Sequence, residues 1–216
     1  VIYCQRMEYI LPFCGRKSRI KTVMAVHGSG AYTLLWRGKA VALLYNILER
    51  FAVKISGKVI VLQKREEYGV PYYKKRYHHE ADKIFFGRVP IDEKVFYKID
   101  RSRLPKSTCK KIIYLGRMDD NPKRIMLFPE IAEKLKLKNI KFSFLIIGYG
   151  PSMDSFKVKI KNYKVEDKFK ILGKIEHSPV LTRLLNQGDV ALILSKFEGI
   201  CMSALECIAC GVPVVA

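Results

Sequence analysis

No apolar run in this 216-residue chain reaches the roughly 18 residues that a membrane-spanning helix requires. The longest, Ala40–Leu48, is interrupted by Asn46, so no transmembrane span is expected. Acidic residues are scarce: 20 Asp and Glu stand against 40 Lys and Arg, for a net charge of +20. Such an imbalance suits anionic partners, namely nucleic acid, an acidic membrane surface or a phosphorylated substrate; a lysine-rich, merely solvated surface is the plainer reading. Cysteine is limited to positions 4, 14, 109, 201, 207 and 210. Cys207-Ile-Ala-Cys210 has no second pair with which to complete a zinc site. It also falls late in a helix, away from the N-terminus that stabilises thiolates. The cysteines are therefore expected to be buried, reduced thiols of a cytosolic protein. His78-His79-Glu80 lacks a further ligand at helical or hairpin spacing, which argues against a metal there. Repeats and low-complexity tracts are missing as well.

What is present is concentrated in Val190–Ala216, VALILSKFEGICMSALECIACGVPVVA. The apolar run Val190–Leu194 predicts a buried parallel strand. A polar turn, Ser195–Gly199, follows it. A helix is predicted from about Ile200 to Cys210, ended by Gly211, and a second strand from Val212. The first turn of that helix leaves backbone N–H groups near Ile200, Cys201 and Met202 without carbonyl partners, a natural place for a phosphate. Gly199 allows close approach. Glu198 is placed to accept hydrogen bonds from sugar hydroxyls, and Glu206, farther along the helix, to meet a ribose. The bare spacing of two glutamates carries little weight; the whole string carries more.

That string closely resembles the signature of the retaining glycosyltransferases of family 4, the glycosyl transferases group 1 type with the GT-B fold. Ser195, Glu198, Gly199, Glu206, Ala209, Cys210, Gly211, Pro213 and Val214–Ala216 stand in the matching places, while Cys207 and Cys201 depart from the usual small residues. Three further segments resemble the family. Gly116-Arg117, with Lys123 six residues after the arginine, matches the longer form of its G-R…K pattern, with Arg124 beside Lys123 as the competing base. Gly148-Tyr149-Gly150-Pro151 resembles its G-x-G-P turn. Gly173–His177 resembles its G-x-V/I-x-H/D turn, in which Ile175 would pack against the base. A partial match runs through Pro90, Asp92 and Phe96. The resemblance also gives His27, in a His-Gly turn after a strand, a place near the donor sugar; a surface-loop histidine is the alternative.

Elsewhere the pattern alternates strand and helix. Strands are predicted at Ile20–Val26, Lys58–Leu62, Lys111–Leu115, Lys141–Ile147 and Phe169–Leu172. Helices are predicted at Leu34–Val53, from about Lys123 to Lys138, at Ser152–Tyr163 and at Val180–Asn186. Such alternation implies parallel sheets with right-handed crossovers. Leu34–Val53 carries Arg37, Lys39 and Arg50, with Lys54 just after it; it is expected to pack its apolar side on a sheet, with docking on an anionic membrane as the alternative. In Lys64–Tyr77, bases and tyrosines interleave, which would suit single-stranded nucleic acid or, under the resemblance, a surface helix near the acceptor.

The reading that follows is α/β, of the GT-B type, with two Rossmann-like domains. Residues 1–104 form the C-terminal part of an acceptor-side domain with its linker, and residues 105–216 a nucleotide-sugar-binding domain. Because the chain begins on Val and ends inside an apparent strand, the first domain is expected to be incomplete and the second truncated. The resemblance implies a retaining transfer of a sugar from a UDP- or GDP-sugar to a glycan or glycolipid, in polysaccharide, glycolipid or lipopolysaccharide synthesis. It further implies no metal or other cofactor, and a cytoplasmic site at the inner face of the cell membrane. Arg117 and Lys123 would neutralise the diphosphate; His27, Glu198, Gly199, Ile200, Cys201, Ile175 and Glu206 complete the expected donor site. A non-transferring epimerase or hydrolase on the same fold, or a basic nucleic-acid module, stays open, although no nucleic-acid reading motif is present.

Overall fold

The computed structural model describes residues 1–4, 9–10, 21–26, 38–62, 69–105, 107–198 and 200–216. The chain forms two compact units, Val1–Pro90 and Ile91–Ala216, and each surrounds an all-parallel sheet.

In the first unit, β1 (Ile2–Cys4), β2 (Thr22–Val26), β3 (Lys58–Val61) and β4 (Ile84–Phe86) pair in sequence order. Helix α1 (Lys39–Ile55) joins β2 to β3, and α2 (Val70–Arg76) lies between β3 and β4. Met24, Val26, Val59 and Val61 of the strands pack with Ala52, Val53 and Tyr73 of the helices. These continuous apolar strands are what a sheet covered on its faces demands. Helix α1 departs from expectation. It buries Ala42, Glu49, Ala52 and Val53 and leaves Leu43, Leu44, Ile47 and Phe51 exposed. The reason lies in Glu49, whose carboxylate accepts hydrogen bonds from Tyr73 Oη at 2.7 Å and Tyr77 Oη at 2.8 Å. A buried carboxylate is tolerated when donors saturate it, and drawing Glu49 inward turns the leucines out. Arg76 donates to Tyr77 Oη, Tyr72 Oη and Asn46 Oδ1. Tyr73 and Tyr77 are thus committed to the interior, and burial raises the pKa of both. They are not free to stack on nucleic-acid bases.

The second unit contains β5 (Lys110–Leu115), a short turn α3 (Asp120–Lys123), α4 (Leu127–Leu137), β6 (Phe142–Ile147), α5 (Met153–Asn162), β7 (Phe169–Gly173), α6 (Pro179–Asn186), β8 (Val190–Leu192), α7 (Met202–Ala209) and β9 (Val214–Val215). Its strand order is β7-β6-β5-β8-β9. Phe128 and Ala132 of α4 share one core with Met153, Phe156 and Ile160 of α5. Leu181 and Leu185 of α6 share another with Cys207 and Cys210 at α7. The sheet is therefore covered on both faces, and the order reverses between β5 and β8.

The boundary falls at Pro90/Ile91, ahead of the 104/105 position read from the polar, proline-containing stretch. Residues 91–101 belong to the second unit because they pack on it. Phe96 is buried beside Leu181 and Val212, Thr182 Oγ1 donates to the Val95 carbonyl, and Ile99 N donates to Asn186 Oδ1 at 2.7 Å. Arg101 donates to the Gly188 carbonyl.

Candidate functional site

In an open parallel sheet, ligands bind beyond the carboxyl ends of the strands where the strand order reverses. Here that point lies between β5 and β8. The loop after β5 is pinned in several places. Tyr114 Oη, from within β5, donates to the Arg117 carbonyl at 2.6 Å. Asp119 caps the turn α3 through Asn121 N at 3.3 Å, and Asp120 accepts from Met126 N at 3.0 Å. Neighbouring loops lock onto it: Gly116 N donates to the Ile147 carbonyl, Met118 N to the Tyr149 carbonyl and Ser152 N to the Met118 carbonyl. At Gly148, φ is 151°, and an added Cβ would lie 1.8 Å from the Gly116 carbonyl oxygen, so only glycine fits there.

The loop after β8 meets this one directly. Lys196 N donates to the Pro122 carbonyl at 2.8 Å. Lys123 Nζ forms an ion pair with Glu198 Oε1, and Ser195 Oγ donates to the same oxygen at 2.6 Å. Lys123, rather than Arg124, therefore faces Glu198; Arg124 takes a left-handed φ of 54° at the end of α3 and is exposed. Arg117 pairs with Asp119 at 3.1 Å and is itself largely in solvent.

Helix α7 begins at Met202 with Cys201 as its N-cap, slightly later than expected. It ends in a Schellman motif in which Gly211 N donates to the Ile208 carbonyl and Val212 N to the Cys207 carbonyl, with Gly211 at φ 74°. Glu206 lies within α7, only 5% exposed, and its Oε1 is 3.4 Å from His177 Nε2. Burial raises the Glu206 carboxyl above its ordinary value, and the charge of His177 opposes that rise. The His177 ring packs edge-on to Phe96 at 5.1 Å. Ile175, half-buried, packs against the core beneath α6 and α7. Ile200 and Cys201 are half-buried ahead of the helix.

His27 and Gly199 lie outside the described residues. Among the other expected charged residues, Lys123 and Glu198 meet at the reversal point, Arg117 turns to Asp119 on the loop after β5, and Glu206 forms a separate pair with His177. Sequence reasoning gave no role to Tyr114, Asp119, Ser195 or His177. Ser195 three residues before Glu198, and Asp119 ahead of Asn121-Pro122 as a cap, are signals that were readable; the partners of Tyr114 and His177 are not local. Among the described residues, no group of three His, Cys, Asp or Glu is arranged to hold a metal. The five described cysteines are free thiols, but Cys109 and Cys201 are only half-buried, correcting the expectation that all are buried. They stand at a strand start and a helix cap, where side chains meet solvent. Cys207 and Cys210 are buried, which pushes their thiols up to about 12 and about 11.

Comparison with known proteins agrees with this architecture. The family model for glycosyl transferases group 1 matches residues 95–216. Its start lies within the segment that packs on the second unit. An N-acetyl-alpha-D-glucosaminyl L-malate synthase of Bacillus anthracis is 30% identical over 129 residues, which are 58% of this chain and 33% of that protein. Sucrose-phosphate synthase from Thermosynechococcus elongatus superposes with a TM-score of 0.76 at 19% identity, over 99% of this chain and 54% of that one. Anabaena Alr3699/HepE, solved in complex with UDP-glucose, superposes at 0.73 with 14% identity, over 100% of this chain and 58% of that one. The chain thus spans about a third of the curated relative's length and just over half of the solved ones. With two parallel α/β units in the GT-B fold and more than half of its length matched by the family model, the chain belongs to the glycosyl transferases group 1 family.

Proposed function

We propose that this chain carries the donor-binding part of a retaining glycosyltransferase that moves a sugar from a UDP- or GDP-sugar to a glycan or glycolipid acceptor. The observation that carries the reading is the Lys123–Glu198–Ser195 cluster, which joins the loops after β5 and β8 where the strand order reverses. In this reading the ion pair opens on binding: Lys123 turns to the diphosphate and Glu198, released, accepts hydrogen bonds from the sugar hydroxyls. Arg117 leaves Asp119 for the same diphosphate. Negative charge builds on that leaving group as the glycosidic bond breaks, so fixed cations favour the transition state over the ground state. The N–H groups opening α7, together with Gly199, Ile200 and Cys201, add donors to the phosphates. Glu206 holds the ribose and Ile175 supports the base. The acceptor hydroxyl attacks from the face the diphosphate leaves. Glu198 binds rather than attacks, and the cations that meet the diphosphate are the protein's own.

The N-acetyl-alpha-D-glucosaminyl L-malate synthase of Bacillus anthracis and the UDP-glucose complex of Anabaena HepE make UDP-N-acetylglucosamine and UDP-glucose the first donors to try. A calorimetric screen of UDP- and GDP-sugars is the test, paired with an assay that separates sugar transfer from release of free sugar. Saturable binding with transfer to an added acceptor supports the proposal. Binding accompanied only by free sugar or an epimerised donor overturns the transferase reading, and absence of binding to every nucleotide sugar overturns the site.

A further inference from the structure

Two glutamates are buried among the described residues, Glu49 and Glu206, and they are held in different ways. The Glu49 carboxylate is saturated: Tyr73 Oη donates to Oε1 and Tyr77 Oη to Oε2. Among the described residues, the partner of the Glu206 carboxylate is His177, whose Nε2 stands 3.4 Å from Oε1, longer than a formed N–H···O hydrogen bond. A buried carboxylate with lone pairs to spare is costly for stability alone. Its open positions suit hydroxyl donors brought by a ligand.

His177 is placed to hold that acid still. The loop after β7 is fixed on both sides of it. Gly148 N donates to the Gly173 carbonyl at 2.8 Å, and Ser178 Oγ donates to the Glu176 carbonyl at 3.0 Å while capping α6 through Leu181 N. The imidazole packs edge-on to Phe96, which is itself buried in the core with Leu181 and Val212. One side of the imidazole is thus backed by a fixed ring, although the side chain as a whole is largely in solvent. The same imidazole opposes the rise that burial imposes on the Glu206 carboxyl, which favours the ionised, acceptor form that a sugar hydroxyl needs.

We propose that His177 is a positioning residue for nucleotide recognition: it steadies Glu206 through Oε1 and leaves the remaining acceptor positions to the ribose hydroxyls. The inference rests on the reading of Glu206 as the ribose acceptor. In that reading Lys123, Arg117 and the start of α7 meet the diphosphate, so loss of His177 falls on ribose recognition.

The experiment is titration calorimetry of the full chain with UDP and GDP, each compared with its 2′,3′-dideoxy form. The ratio of the two affinities reads the ribose contact and cancels the base and the phosphates. The wild type prefers the ribo form at least tenfold, and Glu206→Ala brings the ratio near one. His177→Phe, which keeps an aromatic ring against Phe96 but removes the donor, lowers the ratio at least fivefold while the melting temperature shows a folded protein. His177→Gln, which restores an N–H donor, recovers most of the preference. Adding His177→Phe to Glu206→Ala lowers the ratio no further, because two residues that act through one contact are not additive. A ratio that His177→Phe leaves unchanged overturns the positioning role while Glu206 stands as the ribose acceptor. An equal loss of affinity for the ribo and dideoxy forms in His177→Phe also overturns it, since the effect is then not on the ribose. A wild type that binds either nucleotide with no preference for ribose overturns the Glu206 role together with this inference, and absence of binding overturns the donor site itself.

Discussion

Lys123 and Glu198 neutralise one another where, in our reading, each has separate work to do. Lys123→Ala is expected to weaken nucleotide-sugar binding at least tenfold and to leave Glu198 without its cation; Glu198→Gln is expected to lower kcat about a hundredfold with a smaller effect on donor affinity, consistent with losing contacts that tighten in the transition state. Steady-state kinetics with titration calorimetry separate the two. Glu206 gives a pH test. Burial raises its folded-state carboxyl above the unfolded value, so the stability it allows is complete below the ordinary glutamate range and falls as pH rises through the raised value. Glu206→Gln is therefore expected to melt higher than the wild type at neutral pH and equally at pH 3 to 4, while binding UDP less tightly. A melting difference that does not change with pH contradicts this. The cluster was legible in part: Lys123 and Glu198 stand out in the motifs, and their meeting confirms only that the two loops adjoin. His177 was not legible as the neighbour of Glu206, because that contact depends on how the loop after β7 is carried over α7.

At the scale of elements, alternating apolar runs and amphipathic stretches gave most of the strands and helices of both units to within a few residues, though not the short β4. They did so because parallel strands covered on both faces read as continuous valine and isoleucine, and Gly211 marks a helix end chemically. Two features escaped. The outward roll of α1 depends on Glu49 finding Tyr73 and Tyr77, 24 and 28 residues away, and no periodicity encodes such partners. The polar stretch Asp100–Thr108 reads as the linker by composition, but the segment just before it is already part of the second unit, attached to α6 by the buried Phe96 and by the Ile99 backbone hydrogen bond to Asn186. Three substitutions probe the elements of the second unit by thermal denaturation. Phe96→Ala is expected to cost about 3 kcal/mol or more, as removal of a buried ring does; a linker would lose almost nothing. Gly148→Ala is expected to cost more than about 3 kcal/mol and to disturb the loops after β5 and β6 together, since its Cβ would lie 1.8 Å from the Gly116 carbonyl oxygen. Gly211→Ala meets only the flexible Lys98 side chain and is expected to cost about 1 kcal/mol, the penalty for a left-handed φ alone.

For the whole molecule, the net charge of +20 acts over distances longer than any contact described above. It favours every anionic partner alike and so chooses none of them; in our reading the choice of a diphosphate falls to local geometry at the reversal point between β5 and β8. The central claim is that a nucleotide diphosphate binds at that reversal point, against Lys123 and the start of α7. Titration calorimetry with UDP, comparing the wild type with Lys123→Ala and Glu206→Ala, tests it most directly. The account predicts saturable one-to-one binding that each substitution weakens at least tenfold while the melting temperature shows a folded protein. UDP binding of equal strength in all three proteins would contradict it.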